Sequence, residues 1–168
     1  MEHKKTRRVK LGPNATLHFE DYMVMRYQVL ELMRAENITT DEELEQELRA
    51  YNPLIPDGSN LKVTLMLEYP HAEERKERLS KLIGIEDSIS IEIEGHTPIL
   101  PIANEDLSRS TEDKTSAVHF LRFELDADMI NSANTGSAWT IQSKHPHYQY
   151  SHKIEDQGIV QSLLRDFS

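Results

Sequence analysis

The 168-residue chain contains no cysteine. It therefore forms no disulfide, binds no metal through a thiolate and offers no thiol nucleophile. Any iron–sulfur cluster that works with it has to be held by a partner protein. The missing cysteine also suits a reducing compartment. No apolar run approaches the ~18 residues of a membrane-spanning helix. The start, Met1-Glu2-His3-Lys4-Lys5, lacks the apolar stretch of a secretory signal. The expectation is a cytoplasmic protein with no membrane segment. Several catalytic signatures are missing too. There is no HExxH, no paired Glu-x-x-His, no EF-hand loop, no Gly-rich phosphate cradle and no Gly-x-Ser-x-Gly elbow. No repeat or low-complexity linker divides the chain, so one domain over 1–168 is expected. That length is enough to bury a core without disulfide or metal staples.

Charge is plentiful but uneven. The net charge is −10. Residues 1–10 hold Lys4, Lys5, Arg7, Arg8 and Lys10 against Glu2 alone, so the rest of the chain carries −14. An acidic body argues against a large phosphate-binding surface, and hence against nucleic acid. The basic segment 1–8 reads as a flexible, solubilising extension that can pair with the acidic body. RNA, lipid or an acidic partner are the alternatives.

Residue patterning predicts an α+β fold. Residues 9–11 and 15–19 read as strands joined by Gly12-Pro13-Asn14. Tyr22, Met25, Val29, Leu32 and Met33 recur at helical spacing over 21–35. Thr40 and Glu43 form a capping box for a second helix, with Leu44, Leu48 and Tyr51 on one face. Residues 61–69, 88–94, 97–102, 116–125 and 137–143 read as strands, with 97–102 as hairpin partner of 88–94. Residues 71–83, 127–134 and 155–167 read as helices. This order predicts a mostly antiparallel sheet with helices packed on one face.

Few residues stand out as chemistry. His119 falls among Ala117, Leu121, Phe123 and Leu125 on one face of its strand. It is either a core histidine bonded to a carbonyl or a metal ligand or proton carrier. His145 and His147, two apart in an extended segment, can point at one ion with His119 or a Glu as a third ligand; the alternative is adventitious surface histidines. Iron or zinc would be the ion. Arg26 falls inside the apolar arc of its helix, and a buried guanidinium needs a carboxylate or an anion. Glu20, Glu68 and Glu124 are candidate partners. Arg122 and Glu124 share a strand face, so Arg26, Glu68, Arg122 and Glu124 make a candidate anionic-ligand pocket; a structural Arg–Glu network is the alternative. Leu54-Ile55, on a proline-stiffened loop at 52–60, is either a lid or a partner anchor.

Three stretches carry a family resemblance. They are His3-Lys4-Lys5-Thr6-Arg7-Arg8-Val9-Lys10-Leu11-Gly12, then residues 50–61 (AYNPLIPDGSNL) and residues 114–125 (KTSAVHFLRFEL). Together the chain resembles an uncharacterised bacterial family, domain of unknown function 3501, over nearly its whole length. Members of that family are often encoded beside a rubrerythrin and an iron–sulfur oxidoreductase. The resemblance implies an accessory role in peroxide defence or electron transfer, with a redox protein as partner, and supplies no catalytic residues. Family members carry a helical segment before the His-Lys-Lys stretch, so the resemblance implies either a missing helix, with the face it covers exposed, or a different start. The leading expectation is a non-catalytic module docking through 52–60 and the sheet edge near 145–152. A His-based mononuclear metal enzyme or sensor, and a small anionic-ligand domain, are the alternatives. An exposed strand edge is also compatible with a homodimer.

Overall fold

Alternating apolar residues build two antiparallel sheets, and the computed structural model describes all residues 1–168. The larger sheet has five strands: β1 (Arg8–Leu11), β2 (Ala15–Glu20), β3 (Asn60–Leu67), β6 (Val118–Glu124) and β5 (Ile102–Ala103), in that spatial order. The smaller has β4 (Ile89–Ile93), β7 (Trp139–His145) and β8 (Tyr148–Lys153). Period-two patterning sends Val9, Leu11, Leu17, Phe19, Leu61, Val63, Leu65, Leu121 and Phe123 inward from the larger sheet. Ile89, Ile91, Ile93, Trp139 and Ile141 join them from the smaller one in a single core. The helices are α1 (Tyr22–Ala35), α2 (Asp41–Tyr51), α3 (Ala72–Lys81), α4 (Ala127–Asn134) and α5 (Gln157–Leu164). Leu79 of α3, Ala133 of α4, and Val160 and Leu163 of α5 add to that core. The α1–α2 pair lies against the other face of the larger sheet, the outer face. No helix is long and apolar enough to cross a membrane.

Local chemistry fixes the ends of these elements. Asp21 caps α1 by accepting from Val24 N at 2.8 Å. The expected Thr40–Glu43 capping box opens α2. Gly12 turns β1 into β2 at φ +69°, and a Cβ there would lie 2.7 Å from both the Tyr148 hydroxyl and Tyr150 Cγ. That close approach is one seam between the sheets: the Tyr148 hydroxyl donates to Leu11 O and accepts from Asn14 N at 3.0 Å.

Three expectations are corrected. Residues 97–102 do not form a hairpin with β4; they meet it only in the bridge Ile91–Ile99, and β4 pairs with β7. Pro98 and Pro101 have no N–H to donate, so a continuous ladder cannot form there. The sheet edge expected near 145–152 is there, as the end of β7 and strand β8, because Pro146-His147 turns the chain back on itself. The buried stripe of α1 is Val24, Met25 and Val29, rotated from the expected arc, so Arg26 is exposed. Nor is the N-terminal segment a free extension. Glu2–Arg7 coils into a 3-10 turn, and Arg7 is only 2% exposed.

Candidate functional site

Inward alternation leaves the opposite residues of the same strands on the outer face, and there the sheet becomes polar. Pairing sets His18 beside Arg8 on one side and Thr64 on the other, with Phe120 next to Thr64. Glu20 pairs with Lys62, which pairs with Arg122. The α1–α2 pair and the 3-10 turn Asn52–Leu54 roof part of this face without filling the gap beneath them. The space left is a cavity of about 420 Å³. Its floor is His18, Glu20, Thr64, Met66 and Phe120, its roof is Val24, Gln28, Tyr51 and Leu54, and Lys4, Arg7 and Arg8 close one end. That volume lies in the ~300–1,000 Å³ range of small-molecule sites.

The ionisable groups in this cavity are incompletely partnered. Glu20 is 5% exposed, and its carboxylate accepts one hydrogen bond, from Thr64 Oγ1 at 2.8 Å. No cation makes an ion pair with it. Burial pushes its carboxyl above the usual range, against the pull of the Thr64 bond. His18 Nε2 is buried with no hydrogen-bond partner. Burial, with Arg8 alongside, holds that imidazole below its usual range, so it is neutral at pH 7. The Lys4 ammonium sits over the Tyr27 ring, 5.2 Å from its centroid, without a carboxylate.

Arg7, at the same end, is fully engaged. It donates to Phe19 O at 3.0 Å, Glu20 O at 3.2 Å, Ser162 O at 2.8 Å and Asp166 Oδ2 at 2.6 Å. His3 holds Asp21 at 2.6 Å beside it. This cluster fastens the N-terminal turn to α5 and to the 3-10 turn that follows it. Burial raises the Asp166 carboxyl to about 6 despite the attraction of Arg7.

The residues singled out from the sequence are dispersed. Arg26 is exposed on α1, and Glu68 is exposed at the end of β3 in a shallow cleft with Pro13, Asn14 and Arg75. Arg122 and Glu124 do meet, but with Glu105 rather than with Arg26 or Glu68. Arg122 holds Glu105 through two bonds, at 2.9 and 2.7 Å, and Glu124 through a third. These carboxylates raise the guanidinium pKa further, and the bond from Arg122 lowers that of Glu105. Arg122 and Glu105 border a second cleft of about 380 Å³ that shares Leu54 and Phe120 with the first. The four-residue pocket expected from sequence is therefore not assembled.

The imidazoles are not assembled either. His119 is fully buried. Its Nε2 donates to Ser116 O at 3.0 Å, with Thr115 Oγ1 at 2.8 Å, so its Nδ1 carries the lone pair and accepts from Asn104 Nδ2 at 2.9 Å. Burial keeps it neutral by lowering its pKa, opposed by Glu86. His145 Nε2 donates to Ile83 O at 2.9 Å, and its Nδ1 accepts from the His147 N–H at 3.1 Å. In each ring the nitrogen that a metal would need is already bonded. No three His, Asp or Glu side chains gather where they could hold one ion.

Sequence reasoning passed over His18, Lys4, Arg8 and Thr64, and weighed Glu20 only as a partner for Arg26. A signal was there: β2 ends Leu-His-Phe-Glu, placing two ionisable groups on the face opposite an apolar row. Asn104 was also passed over. Its φ of +50° lets its amide bond both His119 Nδ1 and Phe120 N, a backbone region that asparagine tolerates better than most residues.

The model of a protein family described as "protein of unknown function (DUF3501)" matches residues 1–167. The chain belongs to this family. A crystal structure described as a novel protein of unknown function from Burkholderia pseudomallei K96243 is similar to it, at 43% identity and a TM-score of 0.92. The alignment covers 99% of this chain and 86% of that one. No curated protein matches the sequence. The fold is thus a DUF3501 fold, and the match brings no activity with it.

Proposed function

We propose that this DUF3501 chain is a small-ligand-binding domain whose site is the outer-face cavity between the α1–α2 pair and the larger sheet. One observation carries the reading: buried ionisable groups face that space with their bonding incomplete. An unpartnered buried polar group costs roughly 1–3 kcal/mol. His18 Nε2 meets this cost, beside a Glu20 carboxylate that holds a single bond, on a surface with room for a partner. This reading keeps the anionic-ligand class but takes Lys4, Arg8, His18 and Glu20 as its residues in place of Arg26, Glu68, Arg122 and Glu124. The 52–60 loop acts here as a lid, since Leu54 lines the roof. The test is a fragment screen read by amide-resolved NMR. Shifts clustered on His18, Glu20, Thr64 and Phe120 support the reading. Hits confined to other surfaces, or none, overturn it.

The exposed face of α1 favours a second reading, the accessory module. Tyr22, Met23, Tyr27 and Leu30 are all exposed there, Tyr22 at 60%. Neighbouring α2 is acidic through Asp41, Glu42, Glu43, Glu45 and Glu47. The matching partner presents an apolar patch rimmed by Lys or Arg. A redox protein of the kind implied by the family resemblance, a rubrerythrin or an iron–sulfur oxidoreductase, is the candidate. Binding of either purified protein that weakens with salt and is abolished by Leu30→Glu supports this; binding indifferent to Leu30→Glu counts against it.

A further inference from the structure

The cavity is chemically graded, and the grading describes its ligand. At one end stand Lys4 and Arg8, and no carboxylate lies within ion-pair distance of either. Two unpaired cations on one cavity are unexpected in a chain of net charge −10, where acids outnumber bases 29 to 19. Val24 and Leu54 of the roof face Met66 and Phe120 of the floor, an apolar stretch suited to a flat apolar body. On the floor stand the Glu20 carboxyl and His18 Nε2, beside the Thr64 hydroxyl. Glu20 is the most buried ionisable group in the cavity after Arg7, so an anionic group placed against it would meet repulsion in a poorly solvated place. A further cation would meet Lys4, Arg7 and Arg8, which already line the same space, so the anion of a ligand belongs at the Lys4–Arg8 end and a neutral hydrogen-bonding group at the floor.

Resting on the ligand-binding reading above, we propose that the cavity takes a hydroxylated aromatic or similarly flat carboxylic acid. Its carboxylate lies between Lys4 and Arg8, its body against Phe120 and Met66, and its hydroxyl against Glu20 and His18. A hydroxyl can donate to Glu20 and exchange a bond with His18 without bringing charge to the floor. His18 Nε2 then gains the partner it lacks, and the Glu20 carboxylate gains a second one.

The test is a titration of the full chain with 3-hydroxybenzoate and three analogues, followed by amide-resolved NMR. Benzoate lacks the hydroxyl, 3-hydroxybenzamide lacks the charge, and 3-(aminomethyl)benzoate puts a cation at the floor. The expected result is that 3-hydroxybenzoate binds at the cavity roughly tenfold more tightly than any of the three. Arg8→Ala, at an exposed position that leaves the fold intact, should remove most of the advantage over 3-hydroxybenzamide and leave binding of 3-hydroxybenzamide itself unchanged. Glu20→Leu should remove the advantage over benzoate, with circular dichroism melting confirming that the variant folds. If the aminomethyl compound or benzoate binds as tightly as the hydroxy acid, the assigned class is wrong while the ligand-binding reading stands. If none of the four, and no fragment of any class, shifts the cavity residues, both fail.

Discussion

His18 on β2 and His119 on β6 flank the same central strand, β3, on opposite faces of one sheet. In both, burial lowers the imidazole pKa and keeps the ring neutral. They differ in what their nitrogens meet. His119 is bonded at both, to Ser116 and Thr115 at one and Asn104 at the other. His18 has Nε2 buried with nothing to bond. The charged groups repeat the contrast: Arg7 donates four bonds, whereas the Glu20 carboxylate accepts one. A buried polar group whose bonding is complete holds the fold together. One that faces a cavity with bonding left over costs stability, and that cost is the mark of a site.

The bonded side of the contrast predicts the largest effects. Arg7→Ala would leave Asp166 and Asp21 without their cation and three carbonyls without a donor. Removing one partner of a buried ion pair costs about 3–5 kcal/mol, and urea unfolding should register a loss of that size. A loss below about 1 kcal/mol would mean that Arg7 is not the fastening between the N-terminal turn and α5. His119→Ala comes next. It removes three bonded contacts and leaves a void beside Leu65, its cross-strand neighbour. A loss of about 2–4 kcal/mol is expected, with no change in the binding of any cavity ligand. A variant that keeps its stability but loses ligand binding would reverse the assignment of the two histidines.

The open side predicts smaller effects with a characteristic pH dependence. Burial raises the Glu20 pKa above its unfolded value. The folded state therefore takes up its proton more readily than the unfolded state does. Ionised Glu20 costs stability above the folded pKa, and the cost disappears as pH falls towards the ordinary carboxylate range near 4.5. Glu20→Gln should be more stable than the parent by about 1 kcal/mol at pH 8 and equal to it at pH 4. Asp166, raised to about 6, pushes in the same direction as Glu20. His18 and His119 push the other way, losing stability as pH falls below 6.5. The parent curve mixes all four, so the measurement is the difference between parent and variant at each pH. A difference that grows on acidification would refute the assignment.

Legibility in the sequence followed the same division. Period-two rows such as Ile89, Ile91 and Ile93, or Leu61 to Leu67, announce which face enters the core, and those faces were readable. The capping box at Thr40 and the turn at Gly12 were readable because their chemistry is local. Which strands pair was less so. The exchange of 97–102 for β7 as partner of β4 depends on prolines interrupting one ladder while a long-range ladder forms instead. Least readable was the cavity. It needs Lys4, Arg8, Glu20, Tyr51 and Phe120, from five separate segments, to converge. Arg26 misled because the apolar residues of α1 lie on two faces, one against the sheet and one in the open, and a helical wheel cannot tell which is buried.

The smallest predicted change in stability separates the two faces most cleanly. His18→Leu removes an imidazole with no partner at Nε2 and replaces it with a side chain of similar size beside Phe120, Met66 and Val24. Two terms then nearly cancel. Packing contacts of the ring are exchanged for those of leucine, and the cost of an unbonded buried nitrogen, roughly 1–3 kcal/mol, is relieved. The net change should lie within about 0.5 kcal/mol of zero, while binding of 3-hydroxybenzoate falls. The same substitution at His119 would strand Asn104, Thr115 and Ser116 O in the core and cost several times more. If instead His18→Leu costs more than about 2 kcal/mol, His18 is held by bonds that its surroundings do not display. The floor of the cavity would then be structure rather than site.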